Sequence, residues 1–352
     1  MIAVKKEGIL LKKTELDFEY DGVLNPAVIK DGNEIHLFYR AVAKGNISTI
    51  GYCSLLNPLE VQERYEYPIL QPEFEYEKHG IEDPRIIKIE DVFYLTYTAY
   101  DGINALGALA ISKDLKNWKK LGIIVPEITF EEFKYFSEID KSHDEKYIRF
   151  NEFQISHQEN TEEVYLWCKN LVFFPRKINN KFYFLIRIKP DVQLVAGIEK
   201  IEDLTSKFWN NYFHKFKEHI VLSPKHEHEI SYIGSGCPPI ETERGWLIIY
   251  HGVHDSVEGY VYSACAALLD LNNPGKEISR LPYPLFKPQE KWELKGEVNN
   301  VCFPTGAVVE DDTLYIYYGV ADQRIAVVSL SISELLDELI IYKYPDNEDN
   351  NL

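Results

Sequence analysis

The stretch DPRIIKIEDVFYLTYT, residues 83–98, contains the pattern that decides the fold of this chain. A proline-containing turn leads into an apolar segment, a polar tip follows at Glu90-Asp91, and an aromatic segment ends on Thr98. A polar two-residue tip between two apolar runs is typical of a β-hairpin. The same unit recurs four more times, with its proline at Pro26, Pro175, Pro239 and Pro304.

Each copy continues into a third segment that is apolar and rich in small residues, at residues 49–54, 106–111, 194–198, 263–269 and 325–330. Repetition of one antiparallel unit is typical of blades, and a ring of blades leaves no unprotected sheet edge. We therefore predict an all-β chain in which residues 1–352 form a single five-bladed β-propeller domain. Residues 126–163 are predicted to be an insertion between blades, acting as a lid or an oligomer contact, and residues 332–342 have the apolar spacing of a short closing helix.

Composition and charge exclude several classes of protein. A formal net charge of −18 argues against nucleic acid or an anionic membrane as the partner. The 5 cysteines form neither a CxxC pair nor a zinc-ligand spacing, so we expect reduced thiols. The tract HEHE at residues 226–229 has a weak spacing for metal ligands, and we predict no metal site there. No segment has the length of a membrane span or the pattern of a signal peptide, which predicts a cytoplasmic protein.

Equivalent positions of the five copies should converge at one mouth of a central channel, because the innermost strand of each blade lines it. The turn positions are Asn25, Asp83, Phe174, Pro238 and Phe303. Only the second copy offers a carboxylate there, with Glu82 before it and Arg85 two residues after it. The turn at residues 80–85 is therefore the candidate catalytic segment.

Polar residues also end the aromatic strands of the five copies. These residues are Arg40, Thr98, Arg187, His251 and Tyr318, and Asp101 and Asp322 follow in the next loops. Arg40 and Lys169 are cations at the ends of apolar strands, where they should face solvent or an anion. A pocket that combines carboxylates, amides, cations and aromatic rings suits a polyhydroxylated ligand such as a sugar.

Several of these candidates also have a purely structural explanation. Asp83 could cap its own turn, and Arg85 could pair with Glu82. His251 follows an apolar strand and could be a hydrogen-bonded core histidine. Glu241 could be an exposed hairpin residue without a role. The residues by themselves leave these alternatives open.

Seven segments resemble glycoside hydrolase family 130, which contains β-mannoside phosphorylases and β-mannosidases. They are GIEDPR (80–85), TYTAYD (96–101), FPRKIN (174–179), GCPPIET (236–242), GWLIIYHGV (245–253), AALLD (266–270) and YYGVAD (317–322). The resemblance spans nearly the whole chain except the insertion. It implies a five-bladed propeller and an inverting reaction in which Asp83 is the general acid, protonating the glycosidic oxygen through the 3-hydroxyl of the sugar. That arrangement departs from the usual inverting pair of carboxylates flanking the scissile bond.

The same resemblance bears on the nucleophile. Arg40, Lys169 and Asn170 match positions where the phosphorylases place anion-binding residues. Glu241 falls where a phosphate-binding lysine is expected, and a carboxylate there would repel phosphate but could activate water. The sequence therefore favours hydrolysis, with Asp83 and Glu241 as the catalytic pair.

The predicted function is an inverting glycosidase that hydrolyses β-mannosides, in particular short β-1,2-linked manno-oligosaccharides. Two alternatives stand beside it: a phosphorylase that uses inorganic phosphate as co-substrate and releases α-mannose 1-phosphate, and a non-catalytic sugar-binding propeller. No cofactor is expected, and the expected partners are the oligosaccharide and a possible second copy of the chain. The predicted substrate-binding residues are Asn25, Arg40, Glu82, Arg85, Asp101, Lys169, Asn170, His251, Tyr318 and Asp322.

Overall fold

The computed structural model describes residues 2–140, 145–155 and 164–345 of the 352-residue chain, and strands dominate it. No helix within these residues is long and apolar enough to cross a membrane. The strands are β1 (Lys5–Lys12), β2 (Gly22–Asp31), β3 (Glu34–Val42), β4 (Ser48–Asn57), β5 (Glu60–Arg64), β6 (Gly80–Ile89), β7 (Val92–Tyr100), β8 (Ala105–Ser112), β9 (Trp118–Ile123), β10 (Lys169–Phe173), β11 (Phe182–Arg187), β12 (Val192–Ile198), β13 (Ile220–Leu222), β14 (Tyr232–Ser235), β15 (Ile240–Thr242), β16 (Gly245–Ser256), β17 (Gly259–Leu269), β18 (Glu277–Arg280), β19 (Cys302–Glu310), β20 (Thr313–Val320) and β21 (Arg324–Ser331). The helices are α1 (Phe130–Asp140), α2 (Glu145–Ile155), α3 (Ser206–His214), α4 (Lys291–Leu294) and α5 (Ile332–Ile341).

The strands form five antiparallel units in chain order. Unit 1 is β2–β5, unit 2 is β6–β9, unit 3 is β10–β13, unit 4 is β14–β18, and unit 5 is β19–β21 with β1 as its outermost strand. A parallel bridge between Ser48 and Gly80 joins units 1 and 2 into one larger sheet. The inner strand β19 of unit 5 packs against β2 of unit 1, so the last unit contacts the first.

Apolar side chains fill the spaces between neighbouring units. Between units 3 and 4, the ring of Phe174 lies 5.1 Å from the ring of Trp246. Between units 5 and 1, Tyr317 and Val28 belong to one buried cluster. Large aromatic and β-branched side chains fit these pleated surfaces, which explains the aromatic strands of the sequence repeat.

Four units share a buried cluster of a glutamate, a tyrosine and a cation. The glutamate lies in a short helical turn before the unit, the tyrosine hydroxyl donates to it from the second strand, and the cation comes from the outermost strand. The four clusters are Glu19–Tyr39–Arg64, Glu77–Tyr97–Lys120, Glu229–Tyr250–Arg280 and Glu293–Tyr318–Lys6. Glu229 belongs to the HEHE tract, so one acid of that tract has a structural role. Tyr318 likewise bonds Glu293 inside unit 5.

The predicted insertion forms helices on the outside of unit 3. Helix α1 packs against α3, where the ring of Phe133 lies 5.8 Å from that of Phe213. Residues 141–144 and 156–163 of the predicted insertion lie outside the described residues. The predicted closing helix is present as α5, and its Leu335 and Leu339 are buried in the cluster that includes unit 5.

Candidate active site

A kink at one position of the inner strand places polar side chains of three units around one cavity. Asn25, Asp83 and Asn170 have φ values of 49°, 50° and 53°, in the left-handed region. Asn and Asp adopt this region more readily than other side chains. The β-ladder is interrupted at each of these positions, so that all three side chains line one cavity.

Strand register corrects the predicted alignment of units 3 and 4. The residue before the kink is paired across the inner hairpin as Leu24–Arg40, Glu82–Thr98, Lys169–Arg187, Gly234–His251 and Phe303–Gly319. The equivalent turn residues are therefore Asn170 and Ser235, so the prediction of Phe174 and Pro238 was wrong. In unit 5 the equivalent residue is Pro304, one residue after the predicted Phe303. Pro175 and Pro239 lie further beyond the turn position of their own units than the prolines of units 1, 2 and 5 do.

The same register corrects Tyr318. Gly319, not Tyr318, occupies the strand-end position of unit 5, and a shift of one residue turns a side chain to the other face of the sheet. A Cβ at Gly319 would lie 2.0 Å from Asn25 Oδ1, so the side chain of Asn25 takes the space that a larger residue would need. Tyr318 faces Glu293 and does not line the cavity.

The cavity that Asn25, Asp83 and Asn170 line has a volume of about 250 Å³. It combines three kinds of group: hydrogen-bonding amides and carboxylates, cations, and aromatic or apolar side chains. Its lining is Asn25, Arg40, Asp83, Trp167, Lys169, Asn170, Arg187, Lys189, Tyr232, Tyr262, Val298, Val301, Phe303 and Asp322. This composition can hold a small polyhydroxylated molecule together with an anion.

Asp83 is surrounded by donors and positive charges. Asn25 Nδ2 donates to Asp83 Oδ1 at 2.7 Å, and Arg40 Nη1 lies 3.7 Å from the same oxygen. Burial raises the pKa of Asp83, but the charges of Arg40, Lys169 and Arg85 outweigh burial and hold the pKa below its ordinary value. Asp83 is therefore a carboxylate, and a ligand that neutralises these cations is expected to raise its pKa.

Glu82 organises two of the cations. Its Oε1 lies 2.7 Å from Arg40 Nη2 and its Oε2 lies 3.4 Å from Lys169 Nζ. Arg40 Nε also donates to Ser48 Oγ at 2.8 Å. These contacts hold Arg40 and Lys169 in place while both still line the cavity.

Two further cations have no carboxylate partner within the described residues. Arg187 and Lys189 both contact the ring of Tyr232, with 5.7 Å from the guanidinium carbon and 4.0 Å from Lys189 Nζ to the ring centre. Arg187 is buried and its Nε lacks a hydrogen-bond partner there. Burial and the charges of Arg187 and Lys169 lower the pKa of Lys189 to about 7. Uncompensated buried cations beside a cavity indicate a binding site for an anion.

Asp322 is a second unusual carboxyl at the cavity. Burial raises the pKa of Asp322 to about 6; Arg40 opposes this rise, while Asp83 and Glu82 add to it. Its φ of 53° lies in the left-handed region. At pH values near 6, Asp322 can therefore both donate and accept hydrogen bonds.

Arg85 and His251 lie beside the cavity without lining it. Arg85 Nη1 donates to the carbonyl oxygens of Asp83 and Pro84 at 2.9 and 3.0 Å, so it supports the kinked backbone. His251 is fully buried and its ring lies 4.4 Å from that of Phe303. Burial, followed by the charges of Arg187, Arg85 and Lys189, holds the pKa of His251 well below its ordinary value, so the ring is neutral.

Asp101 and Glu241 are not brought to the cavity. Asp101 accepts hydrogen bonds from the backbone N–H groups of Ile103 and Asn104 at 2.8 and 2.6 Å and so stabilises its own loop. Glu241 is 44% exposed and forms a bidentate pair with Arg176, both contacts at 2.7 Å.

Glu241 lines a separate depression, which shares no lining residue with the Asp83 cavity. That depression is lined by Ile86–Lys88 of β6, three to five residues beyond Asp83. Three to five residues of a strand span roughly 10–17 Å. The prediction of Glu241 as a catalytic base must therefore be corrected, because its carboxylate lies too far from Asp83 to act on the same molecule.

Several cavity residues could not be singled out from the sequence. For Lys189, which follows a strand, the available signal was a second positive charge close to Arg187. The aromatic side chains Trp167, Tyr232 and Tyr262 had no such signal, because the chain has 24 Tyr and 5 Trp and many of these pack in the core.

Comparison with known proteins gives consistent results over nearly the whole chain. A family profile for Glyco_hydro_130, described as β-1,4-mannooligosaccharide phosphorylase, matches residues 14–340. A 1,2-β-oligomannan phosphorylase of Thermoanaerobacter sp. (strain X514) is 32% identical over 351 residues, covering 95% of this chain and 99% of the relative. A β-1,2-mannobiose phosphorylase of the same organism is 34% identical over 341 residues, covering 92% and 95%.

Solved structures show the same fold. The β-1,2-mannobiose phosphorylase of Listeria innocua, in complex with β-1,2-mannobiose, superposes with a TM-score of 0.73 at 24% identity, covering 97% of this chain and 100% of that one. A structure reported with glycoside hydrolases of the same family that target β-1,2 mannosidic linkages in Candida mannan gives 0.72 at 22% identity, with 94% of each chain covered.

Proposed function

The chain belongs to glycoside hydrolase family 130, and on that premise we propose that it is a phosphorylase that cleaves β-1,2-linked manno-oligosaccharides with inorganic phosphate. One observation carries the proposal: Arg187 and Lys189 lie at the Asp83 cavity without a carboxylate partner in the described part of the chain. Phosphate is an anion with oxygen acceptors that match such cations.

The choice of phosphorolysis over hydrolysis rests on the nucleophile. Hydrolysis by inversion needs a carboxylate that can activate water, and Glu241 lines a depression apart from the Asp83 cavity. Both carboxylate oxygens of Glu82 are engaged in ion pairs, one with Arg40 and one with Lys169. Phosphate needs no base because it is already an anionic nucleophile. The relatives named as β-1,2-oligomannan and β-1,2-mannobiose phosphorylases support this reaction and this linkage.

In the proposed reaction Asp83 supplies the proton to the leaving oxygen, through the 3-hydroxyl of the mannosyl residue. Phosphate held by Arg187 and Lys189 attacks the anomeric carbon from the opposite face, so that the product is α-mannose 1-phosphate. The cations around Asp83 lower its pKa in the empty cavity. A bound phosphate offsets their charge, which raises the pKa of Asp83 and favours its acid form when the co-substrate is present.

The fold that supports this site is proposed to be a closed five-bladed propeller. The packing of β19 on β2 supports closure, because it brings the last unit against the first. The depression that Glu241 lines supports it too, since inner segments of all five units line it, at Val28, Ile87, Pro175, Pro239 and Val309.

Product analysis tests the function. The full chain is incubated with β-1,2-mannobiose or β-1,2-mannotriose, with and without inorganic phosphate, and the products are separated by ion-exchange chromatography. We expect α-mannose 1-phosphate in the presence of phosphate and no turnover in its absence. Release of free mannose at equal rates under both conditions would refute phosphorolysis. Substrate binding without turnover under either condition would instead support a sugar-binding protein.

A further inference from the structure

The insertion helix α2 contacts the loop that carries Lys189. This loop, residues 188–191, joins β11 to β12, and its Asp191 is fully buried. The carboxylate of Asp191 accepts a hydrogen bond from the Tyr147 hydroxyl and lies 2.9 Å from Lys146 Nζ. Both partners belong to α2, so the insertion supplies the donor and the counter-charge of this buried acid.

Gln193 extends the contact to the backbone of the loop. Its Oε1 accepts a hydrogen bond from the Ile188 N–H at 2.7 Å, and its Nε2 donates to the Ile188 carbonyl at 2.9 Å. The same Nε2 lies 3.3 Å from the Tyr147 hydroxyl oxygen. Ile188, Gln193 and Tyr147 are all fully buried, so the loop and α2 form one rigid hydrogen-bonded block.

A second contact joins α2 to the cavity wall. The ring of Phe150 in α2 lies 6.3 Å from that of Tyr232, the aromatic residue beneath Arg187 and Lys189. The backbone N–H of Ile233 donates to the Pro190 carbonyl at 3.0 Å. The wall and the cation loop are therefore connected to the same helix.

We propose that Lys146 and Tyr147 are positioning residues that keep the anion site open by satisfying Asp191. A buried carboxylate that loses its partner carries a large desolvation penalty and seeks another cation. Lys189 lies two residues away on the same loop, so an unsatisfied Asp191 would neutralise the charge that phosphate needs. The insertion is thereby assigned a role in binding the co-substrate, and only the identity of the anion rests on the proposed function.

Variants of α2 test this role in the full chain. Lys146→Met removes the counter-charge and Tyr147→Phe removes the hydroxyl while keeping the ring. Arg149→Met is the matched control, because it removes a cation from the same helix that is 73% exposed and pairs only with Glu145 among the described residues. The double variant Lys146→Met with Asp191→Asn removes both charges and should restore the site.

Two measurements are made on each variant: the Kd of inorganic phosphate by isothermal titration calorimetry, and the KM values for phosphate and β-1,2-mannobiose. Lys146→Met should raise the Kd and KM for phosphate roughly tenfold, as expected for coupled neighbouring groups. The KM for mannobiose should stay within about twofold, the double variant should recover most of the loss, and Arg149→Met should match the wild type.

The outcomes separate this inference from the proposed function. An unchanged phosphate Kd in both Lys146→Met and Tyr147→Phe, or equal losses for phosphate and mannobiose, would overturn the positioning role. If the wild type binds phosphate but releases mannose without it, phosphorolysis is wrong, and the positioning role is judged from the Kd values alone. A wild type that binds no phosphate overturns both.

Discussion

Replacing Lys189 by methionine is the sharpest single perturbation of the anion site. The substitution keeps most of the apolar stem and removes the ammonium group, which lies 4.0 Å from the ring centre of Tyr232 and has no carboxylate partner in the described ranges. A hydrogen bond to a charged group contributes about 1.5–3 kcal/mol. We therefore expect the KM for phosphate to rise about 10- to 150-fold, with a KM for β-1,2-mannobiose close to that of the wild type.

The pH dependence gives this prediction a second signature. Because burial and the neighbouring cations lower the pKa of Lys189 to about 7, its ammonium is present below that pH and is lost above it. The advantage of the wild type over Lys189→Met in kcat/KM for phosphate should therefore be largest near pH 6. It should shrink as the pH rises past about 8. Comparing the two proteins at each pH cancels the ionisation of phosphate itself.

Lys189→Met should stabilise the phosphate-free protein while it weakens the binding of phosphate. A lysine whose pKa is lower in the folded than in the unfolded chain binds fewer protons when folded, so stability rises with pH between about 7 and about 10. The free-energy penalty of the buried ammonium is complete below pH 7, and the lowering of the pKa from 10.5 to about 7 corresponds to roughly 4–5 kcal/mol. The lost contact with the Tyr232 ring offsets about 2 kcal/mol of this. We therefore expect Lys189→Met to increase the free energy of unfolding by about 2–3 kcal/mol at pH 6.5 and to lose this advantage near pH 10.

The assay is the initial rate of α-mannose 1-phosphate release at varied phosphate and fixed saturating mannobiose, together with thermal unfolding of the phosphate-free protein. Equal rises in both KM values would show a general distortion of the cavity. An unchanged KM for phosphate would refute the assignment of Lys189 to the anion site. A large loss of unfolding free energy at pH 6.5 would show that the ammonium has a structural partner.

Three further predictions follow from the site and the fold. Asp83→Asn should lower kcat at least about 10³-fold, because an amide cannot supply the proton that the carboxyl group supplies. Ligand binding measured by calorimetry should persist, because Asn tolerates the left-handed backbone at this position. Retained turnover would remove Asp83 from the mechanism. Glu241→Gln should leave kcat/KM within about twofold of the wild-type value. It should change the free energy of unfolding by less than about 1 kcal/mol, because the ion pair of Glu241 with Arg176 is exposed. A large fall in kcat/KM would instead support Glu241 as the catalytic base. Tyr318→Phe should lower the free energy of unfolding, measured by urea titration, by about 1–3 kcal/mol, because Glu293 loses a buried hydrogen bond. A selective rise in the KM for mannobiose would instead show that Tyr318 contacts the substrate.

The sequence repeat was sufficient to predict five antiparallel units, because a polar tip between apolar strands is a local signal that tertiary structure does not override. The closing helix at residues 332–342 was likewise predicted, since the apolar spacing of a helix is also local. Asp83 was singled out because it is the one carboxylate at its turn among the five copies. The placement of Asn25, Arg40 and Asp322 around the same cavity agrees with that alignment, and Lys169 and Asn170, which the family resemblance singled out, line it too.

The sequence could not determine the register of units 3 and 4. Proline marks the turn in units 1, 2 and 5, but Pro175 and Pro239 lie further along the inner segment, so alignment on proline placed Phe174 and Pro238 at the turn. The assignment of Glu241 to the site came instead from the family resemblance. Register depends on which residues pair across the hairpin, and a shift of one residue was enough to move Tyr318 from the cavity into the interior of its unit.

By itself, the sequence determined the repeat and the family and singled out Asp83 as the proposed acid, because each depends on local pattern or on a motif that is contiguous in the chain. Only the tertiary structure decided which charged groups meet. It separated Glu241 from the cavity of Asp83 and brought Arg187 and Lys189, without carboxylate partners among the described residues, to that cavity. This placement supports phosphate as the proposed nucleophile. The physical reason is that pairing and burial of charge depend on contacts between units, which no local stretch of sequence specifies.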